Sequence, residues 1–239
     1  MLRMLKKIVP VLCFVTLSLQ AAERTLHVNT GFTPPVSAIY DQVLREAGEK
    51  IGIDVRLQTV SAERSLQLVT DHIDDAECCR IKAIIEKAYP DLTPVEPSFF
   101  SVRFVAFTRT DAIKIRHWDD LKPYSAGTVT GWKIHVNNLK RVQPARAHIL
   151  DSVQSLFKML DNHRIDVALL GDYNGLYELS RQGITQYHMQ SPPLAEVPLH
   201  LLLNKKNADL AKPLGQALKG MQDNGRVDQI IQQVMDASG

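Results

Sequence analysis

From residue 25 onward the hydrophobic pattern switches between the period of a strand and the period of a helix, in two separate rounds. In the first round residues 25–30 alternate, with Leu26 and Val28 on one face. Residues 37–51 then place Ile39, Val43, Leu44, Ala47 and Ile51 at helical spacing, with Gly52 as a C-terminal stop. Ile53, Val55 and Leu57 alternate again. Leu66, Leu68 and Val69 mark a second helix over 62–72 behind Ser61 as N-cap, and a short strand is expected at 74–77. The second round sets strands at 125–129, 147–150 and 165–170. Helices at 131–139, 153–160 and 173–181 follow them, the middle one opened by an Asp151/Gln154 capping box. Such an order builds a mostly parallel sheet covered by helices.

Two near-continuous apolar runs, 102–107 and 199–203, bracket the second round, and each suits a buried strand. The economical architecture uses them as two connections between two lobes. Lobe 1 takes residues 23–107 and, after the return strand, 199–239. The last two helices (Leu210, Leu214, Leu218 and Met221; then Val227, Ile230 and Val234) pack back on it. Lobe 2 takes 108–198. The expected class is α/β: two lobes, mixed and mostly parallel sheets, two hinge strands, and a ligand cleft between the lobes.

The first 22 residues stand apart. Arg3, Lys6 and Lys7 precede an apolar stretch over 8–19, and Ala21-Ala22 follow. That is the layout of a cleaved export signal. The stretch falls short of the roughly 20 residues that a bilayer-spanning helix needs, so the mature protein is expected to be soluble and outside the cytoplasm. Losing those three bases turns the formal charge of +2 into 25 basic against 26 acidic side chains, a net of −1. So small a charge gives no global field for nucleic acid, which is excluded as a partner. Twelve Gly and twelve Pro without a period exclude collagen-like and low-complexity classes.

Export makes the adjacent pair Cys78-Cys79 informative. Neighbouring Cα atoms across a trans peptide lie about 3.8 Å apart, closer than the roughly 4.4–6.8 Å of ordinary disulfides. A bond between them has to distort the joining peptide, so two buried free thiols are the expectation. No Cys or His cluster at ligand spacing accompanies the pair, and neither a metal nor another cofactor is expected.

Several pieces recur in a telling order: Gly31-Phe32 after the first strand, Ile73-Asp74-Asp75 leading to Arg80, Pro97-Ser98-Phe99-Phe100, and Trp118-Asp119-Asp120-Leu121. The segments Ser125-Ala126-Gly127-Thr128-Val129-Thr130-Gly131-Trp132 and Val167-Ala168-Leu169-Leu170-Gly171-Asp172 follow, then Leu203-Asn204-Lys205-Lys206-Asn207, Asn224-Gly225-Arg226 and Ile230-Ile231. In this order and spacing, over residues 24–237, the chain resembles the family 3 solute-binding proteins. These are type II periplasmic receptors that deliver polar amino acids and similar solutes to ABC importers. The resemblance implies a monomeric periplasmic receptor for a small polar solute, an amino acid or related carboxylate, that works without catalysis and meets a membrane permease.

It also implies roles for particular residues. Arg80 matches the arginine that grips a ligand α-carboxylate, and a guanidinium offers a carboxylate a planar fork. Asp172 matches the aspartate that holds the α-amino group. Residues 128–132 join a strand to a helix, where backbone N–H groups favour an anionic group; Thr128 and Thr130 add hydroxyls to Gly131. Trp132 and Phe32 are aromatic candidates for the cleft wall. One departure bears on the ligand. Glu77-Cys78-Cys79 stands where amino-acid receptors place Ser, Gly or Thr before the arginine, and Glu77 repels an anion. This points to another solute or to a sensor read by a kinase or cyclase. Glu77 is also the one candidate for acid–base work in the enzyme alternative, a cleft dehydratase.

Overall fold

The computed structural model describes residues 24–237, so the export signal expected over 1–22 lies outside the described residues. In the first lobe β1 (Arg24–Thr30) is flanked in parallel by β2 (Ile53–Thr59) and β3 (Ala76–Arg80). The crossovers are α1 (Val36–Glu49) and α2 (Ala62–Thr70). Helix α1 buries Ile39, Tyr40, Val43 and Leu44 on one face, the stripe its spacing announced. Next come α3 (Lys82–Ala88) and β4 (Thr93–Pro94), two elements not expected from the sequence.

The crossing strands are β5 (Phe100–Thr108) and β10 (Ala195–Leu203), both longer than the apolar runs that marked them. Between them the chain forms β6 (Ser125–Val129), α4 (Lys133–Val142), β7 (Arg146–Leu150), α5 (Val153–Asp161), β8 (Val167–Gly171), α6 (Asp172–Arg181) and β9 (His188–Met189). Strand β6 is parallel to both β7 and β8. Strands β5 and β10 run antiparallel, from Ala195↔Phe104 to Leu199↔Phe100. Beyond that, β5 pairs with β8 in the second lobe, while β10 shifts register between His200 and Leu202 and pairs with β3 in the first. One path, β2-β1-β3-β10-β5-β8-β6-β7, therefore runs through both lobes, parallel at its flanks and antiparallel at its middle.

Helices α7 (Ala211–Asp223) and α8 (Arg226–Ala237) lie against α1. Leu214, Leu218, Met221, Val227 and Ile230 join the first-lobe core there, each such burial contributing about 1.5–3 kcal/mol. Arg226 adds a two-pronged ion pair to Glu46, at 2.6 and 2.8 Å. The second-lobe sheet has a core on each face, one around Phe107, Phe157 and Leu170, the other around Ile115, Leu121 and Leu169.

Local expectations are corrected at three places. The strand expected at 74–77 is β3, further on. Asp74 and Asp75 precede it, and the Asp74 carboxylate accepts hydrogen bonds from Asn29 and Gln58. Helix α5 is capped by Ser152, whose Oγ accepts the Ser155 N–H at 3.1 Å, because the extended backbone of an N-cap falls one residue after Asp151. Cys78 and Cys79, expected as thiols, are joined as a disulfide across a cis peptide, which brings their Cα atoms to 3.0 Å. Both are buried, Cys78 fully. Among the described residues no helix is long and apolar enough to cross a membrane.

Candidate functional site

Where the two lobes meet at the crossing strands there is a cavity of about 750 Å³, within the range that holds a small organic ligand. The first lobe lends it Phe32 and Thr33 after β1, Leu66 on α2, and the end of β3 with the start of α3. Val102, Phe104, Val197 and Leu199 line it from β5 and β10. The second lobe contributes residues 130–134, at the start of α4, and Asn174 on α6. Of the residues singled out in the sequence, Phe32, Arg80, Thr130, Gly131 and Trp132 line this one space; Thr128 and Asp172 do not.

Arg80 ends β3 and reaches the cavity already engaged. Its Nε donates to Glu77 Oε1 at 2.6 Å, and Nη2 donates to Ser65 Oγ at 2.9 Å and to the Ala62 carbonyl at 2.5 Å. Ser65 Oγ donates to the same Glu77 oxygen at 2.6 Å. Glu77 is wholly buried, and its other oxygen, Oε2, has no hydrogen-bond partner. A buried carboxylate needs a partner, and here the arginine is that partner. Among the described residues its Nη1 donates no hydrogen bond. Cys79, part of the disulfide, lies in the same wall.

The opposite wall is built from a backbone turn and an aromatic stack. Gly131 takes φ +93 between β6 and α4, a conformation that a side chain disfavours. Trp132 follows and closes over Gly171, where a Cβ would lie 2.7 Å from the indole. The indole stacks on His135, centroids 5.6 Å apart and planes 7° apart, and meets Phe104 edge-on at 5.9 Å. Trp132 packs against the cores of both lobes. Burial pushes the His135 imidazole down to about 3, so the ring is neutral in the stack. Lys133, exposed at the cavity edge, makes no side-chain hydrogen bond or ion pair among the described residues.

The two matched residues outside the lining are turned inward. Thr128 is buried, its hydroxyl donating to the Leu169 carbonyl at 3.1 Å and lying 3.1 Å from His135 Nδ1. Asp172, the first residue of α6, is 1 % exposed, and Arg103 Nε donates to its Oδ2 at 2.6 Å. Burial raises the Asp172 carboxyl above the usual carboxylate range, while the Tyr173 N–H and Arg103 pull against that shift. Arg103 also stands over the Tyr173 ring, 5.7 Å from its centroid, and Tyr173 tilts onto Phe100 of the crossing strand. Thr130 does face the cavity edge, but its hydroxyl donates back to Leu150 at 3.2 Å.

Sequence reasoning missed Arg103, Phe104, Lys133 and the α3 wall. For α3 a signal was present: Ile81, Ile84, Ile85 and Ala88 have helical spacing directly after Arg80. Nothing local announces that Arg103 meets Asp172, since 69 residues separate them.

No family model and no curated protein matches the sequence. Solved structures do. The ligand-binding core of GluR0 in complex with L-glutamate superimposes with a TM-score of 0.71 at 13% identity, covering 90% of this chain and 100% of that one. A histidine kinase sensor domain with similarity to periplasmic binding proteins gives 0.67 at 14%, over 88% and 96% of the two chains. An amino acid ABC transporter substrate-binding protein from Streptococcus pneumoniae, bound to L-arginine, gives 0.64 at 12%, over 90% and 95%. The likeness defines the class: the chain has the two-lobed periplasmic-binding-protein fold.

Proposed function

We propose that this protein is an extracytoplasmic solute receptor. It captures a small organic solute between its lobes and presents the closed form to a membrane partner, a permease of the ABC type or a sensor kinase. The observation that carries this reading is the cavity of about 750 Å³ lined by both lobes and both crossing strands. A solute touching both walls stabilises the closed arrangement by its differential contacts. Lobe 1 in this reading is 23–107 with 199–239, and lobe 2 is 108–198. Phe32, Arg80, Gly131 and Trp132 are the residues proposed to meet the solute, with Asp172 and Thr128 supporting the second wall from inside.

Binding without catalysis is supported by the position of Glu77. The carboxylate considered for acid–base work is enclosed behind Arg80 and Ser65 and does not line the cavity. The test is thermal denaturation against a broad metabolite panel at millimolar concentration, followed by small-angle scattering. A true ligand raises Tm as RT ln(1 + [L]/Kd) requires and contracts the particle. If no solute in the panel does either, the receptor reading falls.

A further inference from the structure

We propose that the solute is an apolar or aromatic organic anion that lacks an ammonium group, such as an arylalkyl or branched-chain carboxylate. This rests on the receptor reading and narrows it. The argument starts from charge. The residues lining the cavity include two cations, Arg80 and Lys133, and no Asp or Glu. An ammonium group buried in such a space is best compensated by a carboxylate, and none lines it. The matched carboxylate, Asp172, is 1 % exposed and already bound by Arg103 at 2.6 Å. Glu77 is enclosed and spent on Arg80 and Ser65. Each of these internal pairs cancels its own charge, so the uncompensated charge at the cavity is the ammonium of Lys133, with Arg80 Nη1 as a further donor.

Shape and polarity narrow the class further. Ile81, Ile84, Ile85, Leu66, Phe104 and Trp132 all line the cavity. Ile84 is 60% exposed, an apolar side chain left uncovered at the cavity. Burying such surface contributes about 25 cal/mol per Å², which favours a ligand with an apolar body over a small, fully polar one. A single acidic group at the Lys133 edge with a hydrocarbon body along the isoleucines satisfies both features.

Matched pairs test this, because 3-phenylpropionate differs from L-phenylalanine, and 4-methylpentanoate from L-leucine, by the ammonium group alone. By titration calorimetry on the purified protein, each carboxylate is expected to bind at least tenfold more tightly than its amino acid. Lys133→Gln, at an exposed position, is expected to weaken 3-phenylpropionate about fivefold and leave the neutral 3-phenylpropanamide unchanged. Equal or tighter binding of the amino acids overturns the assignment, as does an equal loss for acid and amide in Lys133→Gln. If neither pair binds while another solute in the broad panel raises Tm, the ligand class is wrong and the receptor reading stands. If nothing in that panel binds, both fall.

Discussion

The two walls of the cavity are fixed by different physics. On the first-lobe side a cation is held over a fully buried carboxylate whose second oxygen finds no donor. On the second-lobe side position is set by a glycine turn and by rings stacked on a neutral imidazole, and the ion pair there, Arg103 with Asp172, is braced by the start of α6. The first wall depends on one charge balance, and the second spreads its support over packing and backbone. Damage should therefore be concentrated on one side and diffuse on the other.

The largest expected effect is at Arg80. Arg80→Met leaves Glu77 buried without its counter-charge and should cost about 3–5 kcal/mol of stability by denaturant titration. Glu77→Gln added to Arg80→Met should recover more than half of that loss. If the single variant is as stable as the parent, the contrast between the walls is lost.

Next is His135, which sharpens the second wall. Its folded-state value of about 3 lies below the ordinary value of 6.5, so the unfolded chain takes up the proton first as pH falls. The stabilising contribution is present above pH 6.5 and disappears as pH drops toward about 3, at up to about 1.4 kcal/mol per pH unit. His135→Phe keeps a ring in the stack and should flatten that slope between pH 6 and 4. An unchanged slope would remove His135 from the account.

Arg103→Met should cost less than Arg80→Met, about 1–2 kcal/mol, since Arg103 is the more exposed arginine and α6 still donates to Asp172. By uncovering Asp172 it should also narrow the gap between L-phenylalanine and 3-phenylpropionate. The smallest effect is expected from Gly131→Ala, roughly 1 kcal/mol, because the alanine must adopt a positive φ. A Tm equal to the parent's would show that the turn adapts.

The architecture was legible because hydrophobic period is a local property and the two apolar runs interrupt it. The runs at 102–107 and 199–203 marked β5 and β10, though not their amphipathic ends, where β10 includes Glu196 and Pro198. The site was legible only in part. Phe32, Arg80 and residues 130–132 sit at the ends of elements, where position along the chain sets what they face. Thr128 and Asp172 occupy matching positions too, but their depth depends on His135, Leu169 and Arg103, partners brought in by the tertiary fold. The disulfide escaped for a related reason: the expectation assumed a trans peptide between Cys78 and Cys79, and the structure has a cis one.

Strands β5 and β10 lie side by side across the junction, and each is hydrogen-bonded into a different lobe at its far end. Two adjacent straps share one line about which both can bend together. In the receptor reading proposed above, opening would then run along a single coordinate, like a book whose spine is sewn twice. On that reading the gap between the outer rims would follow the hinge angle, and a pair of fluorophores placed there would read occupancy as one distance.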